Sequence, residues 1–299
     1  MSSPHTFDAV ALPEGVAVAA GTALPRLDVS TPQATAQIYL HGAHVAAWQP
    51  AHASAPVLWM SGQSHFRHDK PIRGGVPICF PWFGPHAEDT TAPAHGFARL
   101  SPWTLCDAGE VDGAVTLTFQ LESDNASPVW PHHFHADLRV TIGSILKLDL
   151  VVHNVDDAPF TFEEALHTYF AVGNIAQVTV SGLEHAHYLD KVAAGASRQQ
   201  GSYAISFAGE TDRVYMDTTA ACIIHDPGLS RRITIAKQGS ASTVVWNPWI
   251  QKARNMADFG DDEWPGMVCI ETANVGKSAV RLRPGDRHTM SAAITVEAA

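Results

Sequence analysis

The 299-residue chain has few charged residues and no basic run. Charged side chains make up 16% of the chain, hydrophobic ones 45%, and the formal net charge is −11. Nucleic-acid binding needs clustered lysines and arginines that neutralise phosphates, so this composition argues against it. Low-complexity tracts are also missing, which favours a folded, soluble chain over a disordered one. Any anion that the protein binds must therefore be bound by a few arginines at one site.

The chain also lacks a convincing signal peptide, a membrane-spanning run and paired cysteines. The mildly apolar segment 7–24 is interrupted by Asp8, Glu14 and prolines, and no basic region precedes it. The four cysteines have no CxxC spacing and stand in apolar surroundings, which predicts buried, reduced thiols. They are Cys79, Cys106, Cys222 and Cys269. We therefore expect a cytoplasmic protein.

Motifs that identify several common enzyme classes are absent from the sequence. No Gly-rich phosphate-binding motif precedes a helix, and no Ser or Cys stands in a nucleophile-elbow sequence, so nucleotide transfer and acyl chemistry lack their usual residues. There is no HExxH, and neither HxH pair, His133 with His135 or His185 with His187, is followed by Glu at a cupin-like spacing. We therefore expect no tight metal site.

What the sequence does contain is period-two alternation of apolar and polar residues. Residues 115–121 alternate in this way, which is typical of a half-buried strand. The same pattern, bounded by Gly, Pro, Asn or Asp, recurs at 138–142, 146–152, 178–180, 233–235, 243–246, 268–270, 280–282 and 292–296. No long helical period, internal repeat or distinct linker competes with it. We therefore predict an all-β fold, a large antiparallel β-sandwich, in a single domain over residues 1–299.

One loop region is rich in Gly, Pro, aromatic residues, Arg and His. It comprises residues 70–85, with Arg73, and residues 94–99, with His95 and Arg99. Prolines remove backbone donors and glycines permit positive φ, so we predict an irregular segment with no regular helix or central strand. Aromatic rings suit sugar faces and Arg suits hydroxyls or phosphate, which favours ligand binding. A purely structural loop over the core is the alternative.

Three other segments carry candidate functional side chains. His167 stands among apolar and aromatic residues of a predicted strand, where a histidine is usually a satisfied part of the core. Trp246 and Trp249 flank Asn-Pro and suit either a core or a pocket wall. Glu271 follows an apolar strand, and Glu is rarely buried unless it is paired or catalytic. A buried carboxylate beside an imidazole can carry general acid–base chemistry, but the pattern leaves open whether His167 and Glu271 meet.

Taken in order along the chain, these segments resemble the D-hexose-6-phosphate mutarotases, also called glucose-6-phosphate 1-epimerases, of the aldose 1-epimerase superfamily. The matching segments are 39–45, 73–99, 130–132, 166–170, 211–215 and 269–275. The resemblance implies a galactose mutarotase-like sandwich with an open cleft, no cofactor, and interconversion of the α and β anomers of a hexose phosphate.

The resemblance also implies a catalytic pair. Glu271 would take the proton from the anomeric hydroxyl while His167 protonates the ring oxygen. The ring then opens, the C1–C2 bond rotates, and closure reverses both transfers. Each positioned proton transfer typically contributes about 10²–10⁴-fold in rate.

Four further positions match those of the family that contact substrate. His95 and Asp212 match positions that hold sugar hydroxyls, and Arg73 and Arg99 match positions expected near the phosphate or the ring. An Arg–phosphate pair stays charged at any working pH, which suits this role. The chain departs from the family pattern at Asp69, His185, His187 and Trp264.

Two alternative functions stay open at this point. A non-catalytic carbohydrate-binding sandwich would not need His167 and Glu271 to face one substrate carbon. A mutarotase for free aldoses would not need Arg73 and Arg99 to converge at the cleft rim. The sequence leaves the preferred hexose and the need for its phosphate undetermined. We expect a monomer that binds a small hexose phosphate and neither nucleic acid nor membranes.

Overall fold

The computed structural model describes residues 10–123 and 128–299. Over these ranges the chain forms 23 strands in four sheets, together with one α-helix and five short 3₁₀ turns. The all-β prediction is confirmed. Phe7 and Asp8, at the start of the apolar N-terminal segment, lie outside the described residues. Within the described part, no helix is long and apolar enough to cross a membrane.

The first strands of the chain, up to the Pro-rich region, form a four-stranded sheet. They are β1 (Val16–Val18), β2 (Arg26–Ser30), β3 (Ala34–Tyr39) and β4 (His44–Pro50). The remaining strands are β5 (Ile78–Cys79), β6 (Thr104–Val111), β7 (Ala114–Glu122), β8 (Phe134–Ile142), β9 (Leu146–Asn154), β10 (Phe160–Phe162), β11 (Glu164–Leu166), β12 (Tyr169–Ala171), β13 (Thr179–Ser181), β14 (His187–Asp190), β15 (Ala196–Gln199), β16 (Ile205–Ser206), β17 (Thr211–Tyr215), β18 (Cys222–Asp226), β19 (Arg231–Gln238), β20 (Ser242–Asn247), β21 (Met267–Asn274), β22 (Val280–Leu282) and β23 (Arg287–Ala298).

Two large antiparallel sheets form the sandwich. One has nine strands in the spatial order β16-β13-β18-β19-β23-β9-β8-β7-β6. The other has eight, in the order β15-β14-β17-β20-β21-β11-β5, with β12 pairing β21 beside β11. A two-stranded sheet of β10 and β22 completes the set. Strands that follow one another along the chain are often neighbours in a sheet, as expected for antiparallel architecture.

The alternation of apolar and polar residues in the sequence determines which side chains form the core between these sheets. In β7, Val115, Leu117 and Phe119 are fully buried while the residues between them are half-buried. They belong to one apolar cluster with Val268 and Ile270 of β21, on the facing sheet. Burial of such side chains is the dominant favourable term in folding. The other face of the eight-stranded sheet is therefore free to carry a site.

The predicted irregular loops are mostly as expected, with two exceptions. Ile78–Cys79 forms a short strand that pairs with β11, and Ala98–Leu100 forms a 3₁₀ turn. Gly96 has φ +73°, and a Cβ there would overlap the carbonyl oxygen of Phe80, so only glycine lets the two loop segments approach this closely. The loops are thus held against the eight-stranded sheet through β5.

One short element adds to the prediction, and one expectation needs correction. The sequence shows no long helical period, and α1 (Trp249–Arg254), which follows β20, has only six residues. The Asn247 side chain accepts a hydrogen bond from the Trp249 backbone N–H at 2.9 Å, which turns the chain there. All four cysteines are free, but Cys106 is exposed rather than buried. It lies in β6 at the edge of the nine-stranded sheet, where only one face is covered.

Candidate active site

The outer face of the eight-stranded sheet carries the polar candidates. Trp246 of β20 lies between Asp212 of β17 and Cys269 of β21 in the cross-strand register. Glu271 is two residues beyond Cys269, and side chains two apart along a strand share a face. Asp212, Trp246, Cys269 and Glu271 therefore lie together on the face turned away from the sandwich core.

Glu271 lies within β21 rather than after a strand, which corrects the sequence-based boundary. The whole strand is buried, and Glu271 itself is 1% exposed. A strand that is covered on both faces reads as a continuous apolar run, so its end is hard to locate from the sequence.

His167 lies at a break between two strands rather than inside one. β11 and β12 both pair with β21, with Leu166 opposite Thr272 and Tyr169 opposite Cys269. His167 and Thr168 leave the ladder between them, and the His167 backbone N–H donates to the Pro77 carbonyl at 3.0 Å. Such irregularities re-aim a side chain, and this one turns His167 towards Glu271.

His167 and Glu271 meet directly. His167 Nε2 lies 3.3 Å from Glu271 Oε1, and both side chains are buried. The imidazole stacks on the Tyr169 ring at a centroid distance of 4.8 Å and meets the Trp246 ring edge-on at 6.0 Å. Among the described residues, His167 Nδ1 and Glu271 Oε2 are buried without a hydrogen-bond partner. The pair is thus fixed by aromatic packing and keeps polar atoms available.

Both groups have strongly perturbed pKa values. Burial raises the pKa of Glu271 well above its usual range, the charge of Asp212 adds to this, and Arg99 opposes it. Burial lowers the pKa of His167 well below its usual range, and His95, Arg99 and Arg73 act in the same direction. Each shift disfavours the charged form. Both shifts therefore favour the neutral carboxyl group and the neutral imidazole, whose Oε1 and Nε2 atoms lie close enough to share a proton.

Arg73 is held by two partners near this pair. Its guanidinium donates to Asp258 through Nε at 3.1 Å and Nη2 at 3.2 Å, and its Nη1 donates to the Tyr169 hydroxyl at 2.9 Å. Burial alone would lower the pKa of Arg73, but the charges of Tyr169 and Asp258 outweigh it and the pKa is raised. Arg73 is therefore a fixed cation whose charge is already partly balanced.

Arg99 is less well paired. Its Nη2 donates to the Ala94 carbonyl at 2.7 Å, whereas its Nε is buried with no partner in the described part of the chain. Burial lowers the pKa of Arg99, and the positive charge of Arg73 acts in the same direction. Arg99 as a whole is half-buried, but a buried Nε without a partner is costly, and an anionic ligand would relieve that cost.

His95 and Asp212 flank the pair on two sides. The His95 ring lies 5.8 Å from the His167 ring, and its Nδ1 accepts a hydrogen bond from the Gly84 N–H. Burial, with Arg99 and Arg73, lowers the pKa of His95 to about 3. A neutral ring that accepts at Nδ1 carries its proton on Nε2, which leaves that N–H as a donor. Burial also raises the pKa of Asp212, against the opposing charges of Lys252 and Lys191.

The six residues proposed from the sequence therefore surround one location. Trp246 contacts this location, whereas Trp249 lies against Trp264 with ring centroids 4.3 Å apart. The departures from the family pattern at Asp69, His185 and His187 are exposed residues, and Asp69 pairs with Arg67 at 2.9 Å.

Three residues of the site are not predicted from the sequence as functional. They are Tyr169, Asp258 and Cys269. Period-two alternation does place Cys269 on the same face as Glu271, so a signal exists for it. The pairing of Asp258 with Arg73, 185 positions away, has no local signal.

One protein family and several individual proteins are similar to this chain. A model of the aldose 1-epimerase family matches residues 25–295. The chain is 40% identical over 246 residues to a "Putative glucose-6-phosphate 1-epimerase" of Escherichia coli (strain K12), covering 82% of this chain and 81% of that protein. It is 36% identical over 261 residues to a protein of the same description from Cenchrus ciliaris, covering 84% and 78%.

Solved structures give the same result. The crystal structure of a "putative mutarotase (YeaD)" from Salmonella typhimurium superimposes with a TM-score of 0.85 at 34% identity, over 96% of this chain and 97% of that one. A galactose mutarotase-like protein from Clostridium acetobutylicum gives a TM-score of 0.69 at 13% identity, over 92% and 96%, which bears on the fold alone. The galactose mutarotase-like sandwich expected from the sequence is confirmed.

Proposed function

The chain belongs to the aldose 1-epimerase family, and we propose that it interconverts the α and β anomers of hexose 6-phosphates, with Glu271 as base and His167 as acid. The observation that carries this proposal is the 3.3 Å approach of His167 Nε2 to Glu271 Oε1 in a buried site. Two groups that share one proton can both remove and supply a proton on a neutral sugar. The relatives' description as glucose-6-phosphate 1-epimerases supports the choice of substrate.

The reaction needs no reagent beyond this pair. When substrate binds, the shared proton moves from Glu271 to His167. Glu271 then takes the proton from the anomeric O1–H while His167 gives its proton to the ring oxygen O5. The C1–O5 bond breaks and a C1=O1 aldehyde forms. After rotation about C1–C2, O5 attacks the other face of C1, its proton returns to His167, and Glu271 reprotonates O1. Proton counts before and after are equal.

The two arginines supply a reason for the phosphate. Arg99 Nε has no hydrogen-bond partner among the described residues, so a phosphate dianion would satisfy it directly. Arg73 is already held by Asp258 and Tyr169 and would act mainly through its charge. The cationic field of these arginines lowers the pKa of His167, so neutralising it with phosphate favours the imidazolium that the reaction needs.

His95 and Asp212 complete the proposed sugar site. His95 Nε2–H is a donor, and the Asp212 carboxyl is an acceptor for ring hydroxyls. Trp246 lies beside both the His167 ring and the Asp212 register position, where its face can contact the C–H groups of a sugar.

One observation favours a second candidate. Because Asp258 already balances Arg73, the site has a single under-paired cation, and a mutarotase for free aldoses needs none. Exchange between α and β anomers at equilibrium, followed by NMR with glucose 6-phosphate and with glucose, separates the two functions. Acceleration confined to the phosphate ester is the expected result, and equal acceleration of both sugars would favour the free-aldose reaction. Binding of either sugar without acceleration would overturn the epimerase and indicate a carbohydrate-binding protein.

Three further expectations belong with this proposal. One apolar cluster contains residues from Leu27 to Val296, which supports a single mutarotase-like domain. All four cysteines are free, which supports a reducing compartment such as the cytoplasm. We propose a monomer that acts on a small hexose phosphate and requires no cofactor.

A further inference from the structure

A potential metal-ligand set overlaps the acid–base pair. One ligand atom each from His167, Cys269 and Glu271 lies within 4.8 Å of the others, and all three residues are buried. Cys269 has no assigned part in the proton transfers. The HxH pairs considered from the sequence are elsewhere, and this set joins a residue at the β11–β12 break to two residues of β21.

The donor set suits a soft or borderline divalent cation. Imidazole nitrogen, thiolate sulfur and carboxylate oxygen are the ligands of zinc, whereas magnesium and calcium take oxygen alone. Two ligands of a tetrahedral zinc ion, bound through N and O, lie about 3.3 Å apart. His167 Nε2 and Glu271 Oε1 already lie at 3.3 Å. Two of the three ligands are therefore correctly spaced.

Cys269 needs only a small adjustment. A zinc-bound sulfur lies about 3.6 Å from a neighbouring ligand atom, and Sγ lies within 4.8 Å of the other two ligand atoms, so it would have to approach by about 1.2 Å at most. Cys has a single side-chain torsion, and its position two residues before Glu271 already directs it to the same face. The fourth position would face the substrate side, as in zinc sites that keep one position open.

We propose that zinc, or a cation of similar softness, binds His167 Nε2, the Cys269 thiolate and the Glu271 carboxylate, and thereby inhibits the enzyme. Binding replaces the proton shared by His167 and Glu271 and the thiol proton of Cys269, so two protons pass to solvent and no group is oxidised. A chelator reverses the reaction. The cation is an inhibitor that competes with the proton for the pair, not a cofactor.

The test uses Co²⁺ as a spectroscopic probe, in phosphate-free buffer and without substrate. One equivalent of Co²⁺ should produce a near-ultraviolet thiolate-to-cobalt charge-transfer band, and Zn²⁺ should remove it by displacement. Cys269→Ser should abolish the band and weaken Zn²⁺ binding by at least the roughly 10–100-fold that the loss of an outer-shell partner costs. The matched control is Cys106→Ser, which removes an exposed thiol on the other sheet and should change nothing.

Activity provides the second readout. Zn²⁺ should inhibit the wild type and Cys106→Ser alike, and chelation should restore the rate, while Cys269→Ser should resist inhibition. Cys269→Ala serves if the serine variant is unstable. The absence of a one-equivalent band, or a band that survives in Cys269→Ser and disappears in Cys106→Ser, would overturn the proposal. Because the band is measured without substrate, its result is independent of whether the proposed epimerase activity is correct.

Discussion

Replacing Glu271 by glutamine should remove most of the catalysed anomerisation without unfolding the protein. Glutamine has nearly the same shape but cannot take up the O1 proton. A positioned proton transfer is worth about 10²–10⁴-fold, or about 3–5 kcal/mol of barrier. The enzyme-dependent α-to-β exchange rate of glucose 6-phosphate, measured by NMR, should decrease by a factor within this range. Since Glu271 Oε2 has no partner among the described residues, the neutral amide leaves no broken hydrogen bond at that atom.

The same variant should alter how stability depends on pH. Burial raises the pKa of Glu271 well above the ordinary 4.5, so folding takes up a proton there. The stability that this group contributes is present below pH 4.5 and is lost as pH rises towards the raised folded-state pKa. Glutamine does not titrate. The melting temperature of Glu271→Gln relative to the wild type should therefore increase as pH rises above about 4.5.

Glu164→Gln is the matched control for losing a buried carboxyl. Glu164 is fully buried on β11, but it faces the core side, where Oε1 accepts from Asn274 at 2.8 Å and pairs with His288 at 3.0 Å. This variant should lose stability and keep its exchange rate. Two outcomes would refute the reasoning about Glu271. One is a Glu271→Gln variant that melts normally and keeps most of the wild-type rate, and the other is an equal loss of rate in both variants.

Three further predictions test the surrounding charges. Arg99→Gln should lower kcat/KM for glucose 6-phosphate roughly 10–100-fold, the value of one charged hydrogen bond, and should cause no such loss for free glucose. Parallel exchange measurements check this, and equal losses for both sugars would contradict it. Inorganic phosphite should accelerate the anomerisation of free glucose by the enzyme. An anion beside Arg99 would offset the positive charge that, together with burial, lowers the pKa of His167. An NMR exchange rate that stays the same at saturating phosphite would count against this coupling between Arg99 and His167. His288→Gln should destabilise the protein more near pH 6 than near pH 9 in thermal unfolding. Burial alone would lower the pKa of His288, but its interaction with Glu164 outweighs burial and raises the pKa. The stabilisation by the His288–Glu164 pair is therefore complete below the ordinary pKa of 6.5 and disappears as pH rises through the folded-state pKa. A pH-independent loss of stability in His288→Gln would show that the pair is not charged.

Strands that are buried on one face can be located from this sequence. The ends of strands that are buried on both faces cannot. Residues 115–121 alternate cleanly and fall within β7, because one side of that strand packs on the core and the other is partly open. β21 is buried along all of its length, so no change from buried to exposed residues marks its end, and the sequence predicts that end before Glu271 instead of after it. α1 is not delimited by the sequence for a different reason. It has six residues, too few to show a helical period.

Six residues of the site can be named from the sequence and its resemblance to the family, but their meeting cannot. His167 approaches Glu271 because β11 and β12 pair with the same strand and leave a two-residue break opposite it. That arrangement is a property of long-range register, and no local pattern around residue 167 encodes it. Arg73 and Asp258 meet for a similar reason, since the loop after α1 returns to the Pro-rich segment. The sequence therefore limits which side chains are available for chemistry, and the strand topology determines which of them meet.

The alternation of side chains along β21 determines which of its residues face the candidate site. Cys269 and Glu271 occupy one face and Ile270 the other, where it joins the sandwich core. A register slip of one residue would exchange the two sets, bury Glu271 among apolar side chains and put Ile270 opposite His167. Such a slip is costly because it would also expose the apolar residues that hold the two sheets together. The burial that stabilises the sandwich therefore fixes the position of the carboxyl group, and burial on the opposite face of the strand raises the pKa that lets this group hold a proton.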